Sequence, residues 1–221
     1  MPIKAGISMR VVSEHRYEEK RDSISHDWLN FLVKNNIDFS LIPNCGEVVS
    51  SYLKKKKFDV LILSNGNDII HDNLYKDNDS SLLRDVTEKL IIEHALKNRI
   101  KILGVCRGAQ MLNIFFGGNL IYKKTDKHVS KVFKKKIVDK FFSEYLNSLT
   151  LNTNCYHRYF IDKDKIPKEL IPFAISEDGY VEGFYNIRKK ILGIQWHPER
   201  DFKDNALSEK IVLQFLKNKL F

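Results

Sequence analysis

Apolar residues fall along this chain in short, nearly unbroken runs that alternate with stretches of helical period. Ile3 to Met9 predicts a first strand, and the polar stretch Arg10 to Arg21 reads as the loop leaving its carboxyl end. From Asp22 to Asn36, Ile24, Trp28, Leu29, Leu32 and Val33 recur at helical spacing until Asn35-Asn36 stops the helix. Ile37 to Ile42 predicts a second strand closed by Pro43, and Val48 to Lys57 a short helix ending in lysines. Phe58 to Leu63 has the apolar character of a strand covered on both faces, and it empties into Ser64-Asn65-Gly66-Asn67-Asp68. After a polar loop to about Ser80, a helix runs from Ser81 to Lys97 with Leu82, Leu83, Val86, Leu90 and Ile91 on one face. Three βα units in succession predict a right-handed, parallel, doubly wound α/β sheet with helices on both faces.

The next unit is the sharpest. Lys101 to Val105 reads as a strand, Gly104-Val105-Cys106-Arg107-Gly108 as a tight turn, and Met111, Leu112, Ile114 and Phe115 as the following helix, with no linker. A Cβ at Gly104 or Gly108 would press on neighbouring backbone, so the turn needs glycine there. Cys106 is thereby held at the carboxyl end of a strand and the amino end of a helix, where free N–H groups favour a thiolate. This is a nucleophile elbow with cysteine in the serine position.

Beyond Gly117-Gly118 the pattern changes. Leu120 to Tyr159 reads as β-ribbon and short helix, with Val129, Val132, Phe133, Ile137 and Val138 loosely alternating. Strands are predicted at Phe173 to Ser176, Tyr180 to Ile187 and Ile191 to Trp196, with turns at Asp178-Gly179 and Arg188 to Lys190. A last helix, Ala206 to Asn218, packs through Ile211, Val212, Phe215 and Leu216.

At 221 residues and 43% hydrophobic content the chain supports one sizeable core, a single domain over 1–221. Its formal charge of +9 raises nucleic acid, a membrane surface or an anionic small molecule as partner. The charge is scattered, and the runs Lys54 to Lys57 and Lys134 to Lys136 read as solvated element ends without interleaved aromatics, so nucleic acid is not expected. Three cysteines without CxxC spacing speak against a disulfide scaffold or metal site and for a reducing compartment. The amino-terminal apolar run is too short for a signal peptide, and no segment approaches a membrane span. The expectation is a soluble cytoplasmic protein with no cofactor, no metal and no membrane partner; a homo-oligomer is left open.

A cysteine nucleophile needs a base that also protonates the leaving group, and a third group that orients the base. Gln195-Trp196-His197-Pro198-Glu199 supplies both: an apolar strand ends in His197, and Glu199 follows across a proline of fixed φ. At a strand end His197 would share the crevice of Cys106. Of the other histidines, His15, His26, His71 and His94 carry no accompanying pattern, and His128 falls in the insert. His157 belongs to the polar cluster Asn154-Cys155-Tyr156-His157-Arg158, suited to a small charged ligand. For an oxyanion, the elbow offers the backbone N–H of Arg107, and the loop at Gly66 offers a second donor unobstructed by a side chain.

Gly104-Val105-Cys106-Arg107-Gly108-Ala109-Gln110, Gln195-Trp196-His197-Pro198-Glu199, Ser64-Asn65-Gly66 and Asp178-Gly179-Tyr180-Val181-Glu182 together resemble the class I glutamine amidotransferase-like superfamily. Asp-Gly-x-x-Glu before the histidine strand and Asn-Cys-Tyr-His in the insert are similar to its γ-glutamyl hydrolase branch, peptidase family C26. The resemblance runs through nearly the whole chain. It implies a flavodoxin-like three-layer fold with a β-ribbon insert after the nucleophile helix, a Cys106, His197, Glu199 triad and an oxyanion hole from Gly66 and Arg107. It also implies glutamyl recognition by Gln110, Asn154, Cys155 and His157. Ala109 stands where many members have histidine, Asn65 where this branch usually has a second glycine, Cys155 in place of serine, and Arg158 in place of histidine or glutamine. These departures leave the triad intact and the substrate open.

The expected reaction is hydrolysis of a γ-glutamyl amide to release glutamate, with small members of this basic character pointing to a γ-glutamyl nucleotide phosphoramidate. Arg10, Arg16 and Arg21 in the first loop are candidates to meet an anionic leaving group. The alternatives are a glutaminase subunit that passes ammonia to a synthetase, and a non-enzymatic binding module on the same fold.

Overall fold

A computed structural model describes residues 2–14, 19–70, 79–123, 131–203 and 205–221, with residues 131 and 132 described by backbone only. His15, Arg16, His71, His128 and Val129 lie outside the described residues. The first half runs β1 (Ile3–Ser8), β2 (Arg10–Glu14), β3 (Glu19–Ser23), α1 (His26–Lys34), β4 (Ile37–Ile42), α2 (Val49–Lys54), β5 (Val60–Leu63) and α3 (Leu82–Asn98). The elbow joins β6 (Lys101–Val105) to α4 (Arg107–Phe115). The insert holds β7 (Leu120–Tyr122), β8 (Lys131–Ile137), α5 (Lys140–Leu146), β9 (Thr150–Cys155) and β10 (Tyr159–Ile161). The chain closes with β11 (Ile171–Ile175), β12 (Val181–Asn186), β13 (Ile191–Ile194) and α6 (Ala206–Leu216).

The sheet order is β4-β1-β5-β6-β13-β12-β11-β8-β9. From β4 to β13 every pairing is parallel, the doubly wound order 2-1-3-4-5. From β13 outward the pairings are antiparallel. The insert is therefore not a free ribbon: β8 and β9 extend the central sheet through β11, and β10 bridges β12 to β7. One apolar layer packs Trp28 and Leu32 of α1, Phe142 of α5 and Phe215 of α6 on the sheet, and the other packs Leu53 of α2, Ile91 of α3 and Met111 of α4. That is a three-layer αβα arrangement.

The structure departs from the predicted elements in three places. Arg10 to Arg21 is not a loop; β2 and β3 pair as an antiparallel hairpin of their own, whose alternation is hidden because both faces carry polar side chains. In α3, Leu82 and Leu83 are 64% and 50% exposed while Arg84, Asp85 and Glu88 are buried. The first turns of that helix face a polar loop rather than the apolar core. Lys135 is buried, not a solvated strand end, because β8 turns it toward Glu182, 2.6 Å away.

Candidate active site

Cys106 occupies the junction of β6 and α4 with φ +52° and ψ −105°, a conformation that non-glycine residues rarely adopt. Its N–H donates to Ile194 of β13 at 2.7 Å and its carbonyl accepts from Gln110 N–H, so both sides of the strained residue are pinned. The flanking glycines make the turn possible. A Cβ on Gly108 would sit 2.1 Å from the Leu63 carbonyl oxygen, and one on Gly104 would sit 2.7 Å from the Gly108 backbone.

His197 follows β13. Asn154 on β9 holds its backbone from both directions, donating to the His197 carbonyl at 2.9 Å and accepting its N–H at 2.7 Å. The imidazole Nδ1 lies 2.8 Å from Glu199 Oε1, with both side chains almost fully buried. Nδ1 is also 3.1 Å from the Asn65 amide nitrogen. That orientation of the amide follows from Trp28, whose indole can only donate and does so to Asn65 Oδ1 at 2.9 Å. Tyr156 stands edge-on to the imidazole with ring centres 5.0 Å apart.

Cys106, His197, Gly66, Arg107 and Gln110 line one cavity of about 280 Å³, whose wall includes Arg10, Arg158 and Arg200. Burial pushes the Cys106 thiol up to about 12, reinforced by the negative charge of Glu199; the Arg107 N–H and Arg200 act the other way but do not prevail. The helix N-terminus therefore does not yield a resting thiolate, contrary to the sequence expectation, because desolvation outweighs it. Burial likewise holds His197 below the ordinary imidazole value despite Glu199. Both shifts favour the neutral forms, thiol and imidazole.

Beneath the cavity lies a buried charge network. Arg84 donates to the carbonyls of Ser64 (2.8 Å), Asn65 (3.0 Å) and Gly66 (2.7 Å), holding the loop in which Gly66 has φ +82°. Glu88 accepts from Arg84, from the Ser8 hydroxyl and from Arg107, and Arg107 also pairs with Asp85. The Arg107 side chain is thus engaged with Glu88 and Asp85 beneath the cavity. Sequence reasoning passed over Arg84 and Glu88; their i, i+4 spacing was visible, but nothing marked that face of α3 as buried.

The predicted ligand residues divide. Gln110 lines the cavity, its amide donating to the Tyr159 carbonyl at 3.0 Å. Asn154 does not line it and acts on the His197 backbone instead. Cys155 opens with His157 and Glu182 onto a neighbouring cavity of about 280 Å³, and His157 lines the Cys106 cavity as well. There burial opposes a charged His157, but Cys155 and Glu182 outweigh it and hold the imidazole up to about 10. Arg158 and Arg10 stand at the rim, 3.4 Å from Asp68 and 3.5 Å from Asp79. Arg21 pairs with Glu19 and Glu14 on the hairpin and does not line the cavity. Among the described residues no cluster of His, Cys, Asp and Glu is arranged to hold a metal ion, and no helix is long and apolar enough to cross a membrane.

This fold and site carry the signature of a known class. The Peptidase C26 family model matches residues 6–199, and the chain belongs to that family. It is 33% identical to a γ-glutamyl-CDP-amidate hydrolase of Campylobacter jejuni over 89% of this chain and 90% of that one. The fold is that of the class I glutamine amidotransferases. A protein from Thermoplasma acidophilum superposes with a TM-score of 0.70 at 19% identity, covering 99% of this chain and 96% of the other. A glutamine amidotransferase from Thermotoga maritima gives 0.61 at 18% identity over 99% and 86%.

Proposed function

We propose that this protein hydrolyses the γ-glutamyl amide bond of a small γ-glutamyl compound and releases glutamate through a thioester on Cys106. The observation that carries this reading is the shared cavity: a cysteine on a strained elbow and an imidazole oriented by a buried carboxylate face the same space. The 33% identical hydrolase, matched over nearly its full length, supports a hydrolase over a glutaminase subunit and suggests a nucleotide phosphoramidate as the group on the γ-nitrogen.

Since thiol and imidazole are both neutral at rest, His197 takes the thiol proton as Sγ attacks the γ-carbonyl carbon. The C–S bond forms as the carbonyl π bond opens, and the oxyanion is received by the N–H groups of Gly66 and Arg107. The tetrahedral species collapses, His197 returns the proton to the departing nitrogen, and the free amine or phosphoramidate leaves. Water, deprotonated by His197, then opens the thioester to glutamate and restores the thiol. Glu199 keeps Nδ1 in the donor role and stabilises the transient imidazolium. Gln110 contacts the γ-glutamyl group beside the nucleophile, and His157, whose cationic form Cys155 and Glu182 favour, attracts its α-carboxylate.

A glutamate-release assay over γ-glutamyl amines, peptides and phosphoramidates tests this reading. Activity on at least one of these and none in Cys106→Ala is expected; full activity in the variant would overturn it.

A further inference from the structure

Four arginines line the cavity that holds Cys106; Arg107, Arg10 and Arg200 each have a buried Nε without a hydrogen-bond partner, and Arg107 alone is tied to two buried carboxylates, Glu88 and Asp85. Arg200 follows Glu199 directly and is only 29% exposed at its side chain. Its guanidinium lies 4.2 Å above the Tyr156 ring. Asp27 and Glu199 approach its Nε at 3.7 and 3.8 Å, beyond hydrogen-bond reach, and that Nε is buried and unpartnered. Arg10 packs on the Gly66 loop. A Cβ on Gly66 would touch its Cδ and Nε at 3.2 Å, and its Nε is likewise buried and unpartnered. Arg158, paired with Asp68, completes the positive rim.

The unpartnered atoms matter because a buried polar group left without a partner is costly. The ion pairs present do not explain the arrangement, since partly exposed pairs at 3.5 Å such as Arg10–Asp79 contribute little. Position indicates what is missing. His197 protonates the departing nitrogen, so the substituent on that nitrogen lies on the His197 side of the cavity. Tyr156 is edge-on to His197, and Arg200 is stacked on Tyr156, one ring beyond the leaving atom. Arg10, packed on the Gly66 loop, lines the same cavity. A planar guanidinium fork matches the paired oxygens of a phosphoryl group, and stacking on an aromatic face pre-orients it.

We propose that Arg200 and Arg10 form a clamp for a phosphoryl group attached to the γ-glutamyl nitrogen, making this cavity selective for phosphoramidate over neutral amide substrates. This inference rests on the γ-glutamyl hydrolase reading and assigns its leaving-group subsite. The clamp makes no covalent bond. It binds the substituent in the substrate and stays with the phosphoramidate product, so inorganic pyrophosphate is a ligand of the free protein.

Two measurements test it. In the first, kcat/KM is measured for a γ-glutamyl phosphoramidate, for a γ-glutamyl alkylamide, and for a γ-glutamyl amide ending in a carboxylate, using wild type, Arg200→Gln and Arg10→Gln. The phosphoryl-to-neutral ratio exceeds one in wild type and falls about 10-fold or more in each variant, the worth of one charge-assisted hydrogen bond. Arg200→Lys fails to restore it, because the fork is lost. A ratio unchanged by either glutamine variant, or a preference for the carboxylate amide, overturns the clamp while leaving glutamyl hydrolysis standing. In the second, pyrophosphate binding to the free protein is measured by calorimetry. Binding that weakens about 10-fold in Arg200→Gln supports the clamp even if no substrate releases glutamate; no binding by wild type overturns it.

Discussion

Asn154 grips the main chain of His197 on both its N–H and its carbonyl, at 2.7 and 2.9 Å, from a strand that lies beyond three others in the sheet. The proposed base is therefore positioned by the antiparallel extension of the sheet rather than by its own strand alone. Asn154→Ala removes both bonds and leaves two buried backbone groups unpaired. We expect kcat/KM to fall about 100-fold through misplacement of the imidazole. Stability should fall by about 1–3 kcal/mol in denaturant titration. A variant with wild-type kcat/KM would show that the grip has no part in positioning.

The loop proposed to receive the oxyanion makes a second prediction. Gly66 has φ +82°, and its carbonyl is taken by Arg84. Gly66→Ala strains the backbone and pushes on Arg10, so its N–H moves from where the oxyanion develops. Loss of one such donor costs on the order of 100-fold to 1,000-fold in kcat. Steady-state kinetics with an unchanged KM would separate this from a loss of substrate binding.

The pH dependence has a definite sign. Burial depresses the pKa of His197, Glu199 opposes this, and Arg200 and His157 reinforce it. The neutral base therefore persists as pH falls through the ordinary imidazole range, and the acid limb of kcat/KM should lie below about 6.5. Because the Cys106 thiol is pushed up to about 12, iodoacetamide should label it slowly at neutral pH. An acid limb above 7, or a thiol alkylated as fast as free cysteine, would contradict a neutral resting pair.

Below the site, Glu88 is the common partner of Arg84, Arg107 and Ser8. Glu88→Gln keeps its shape and removes its charge, leaving two buried guanidiniums short of a counter-ion. We expect a loss of about 3–5 kcal/mol in chemical denaturation. Activity should be lost along with the loop that Arg84 holds. Destabilisation under 1 kcal/mol would mean the network is not what supports the elbow.

Much of this was legible in the sequence where one residue type answers one geometric need. Gly104 and Gly108 are required because backbone atoms stand where a Cβ would have to sit, 2.7 and 2.1 Å from it. The parallel half of the sheet was readable from apolar runs alternating with helical periods. The hairpin β2–β3 was not, because exposure on both faces erases the alternation that marks a strand. Arg84, Glu88, Lys135 and Arg200 were passed over for a shared reason: a charged side chain reads as solvated until its partner's position is known. Asn154 was placed among ligand residues by resemblance, and only the fold shows that it addresses a peptide group instead of the cavity.

The central claim is a covalent glutamyl–Cys106 intermediate. Rapid acid quench during turnover of a γ-glutamyl phosphoramidate, followed by mass spectrometry of the peptide containing Cys106, tests it directly. A glutamyl thioester on Cys106 that rises and decays with turnover, and is absent in Cys106→Ala, is the predicted result. Steady glutamate release with no adduct on Cys106, or release that persists in Cys106→Ala, would contradict it.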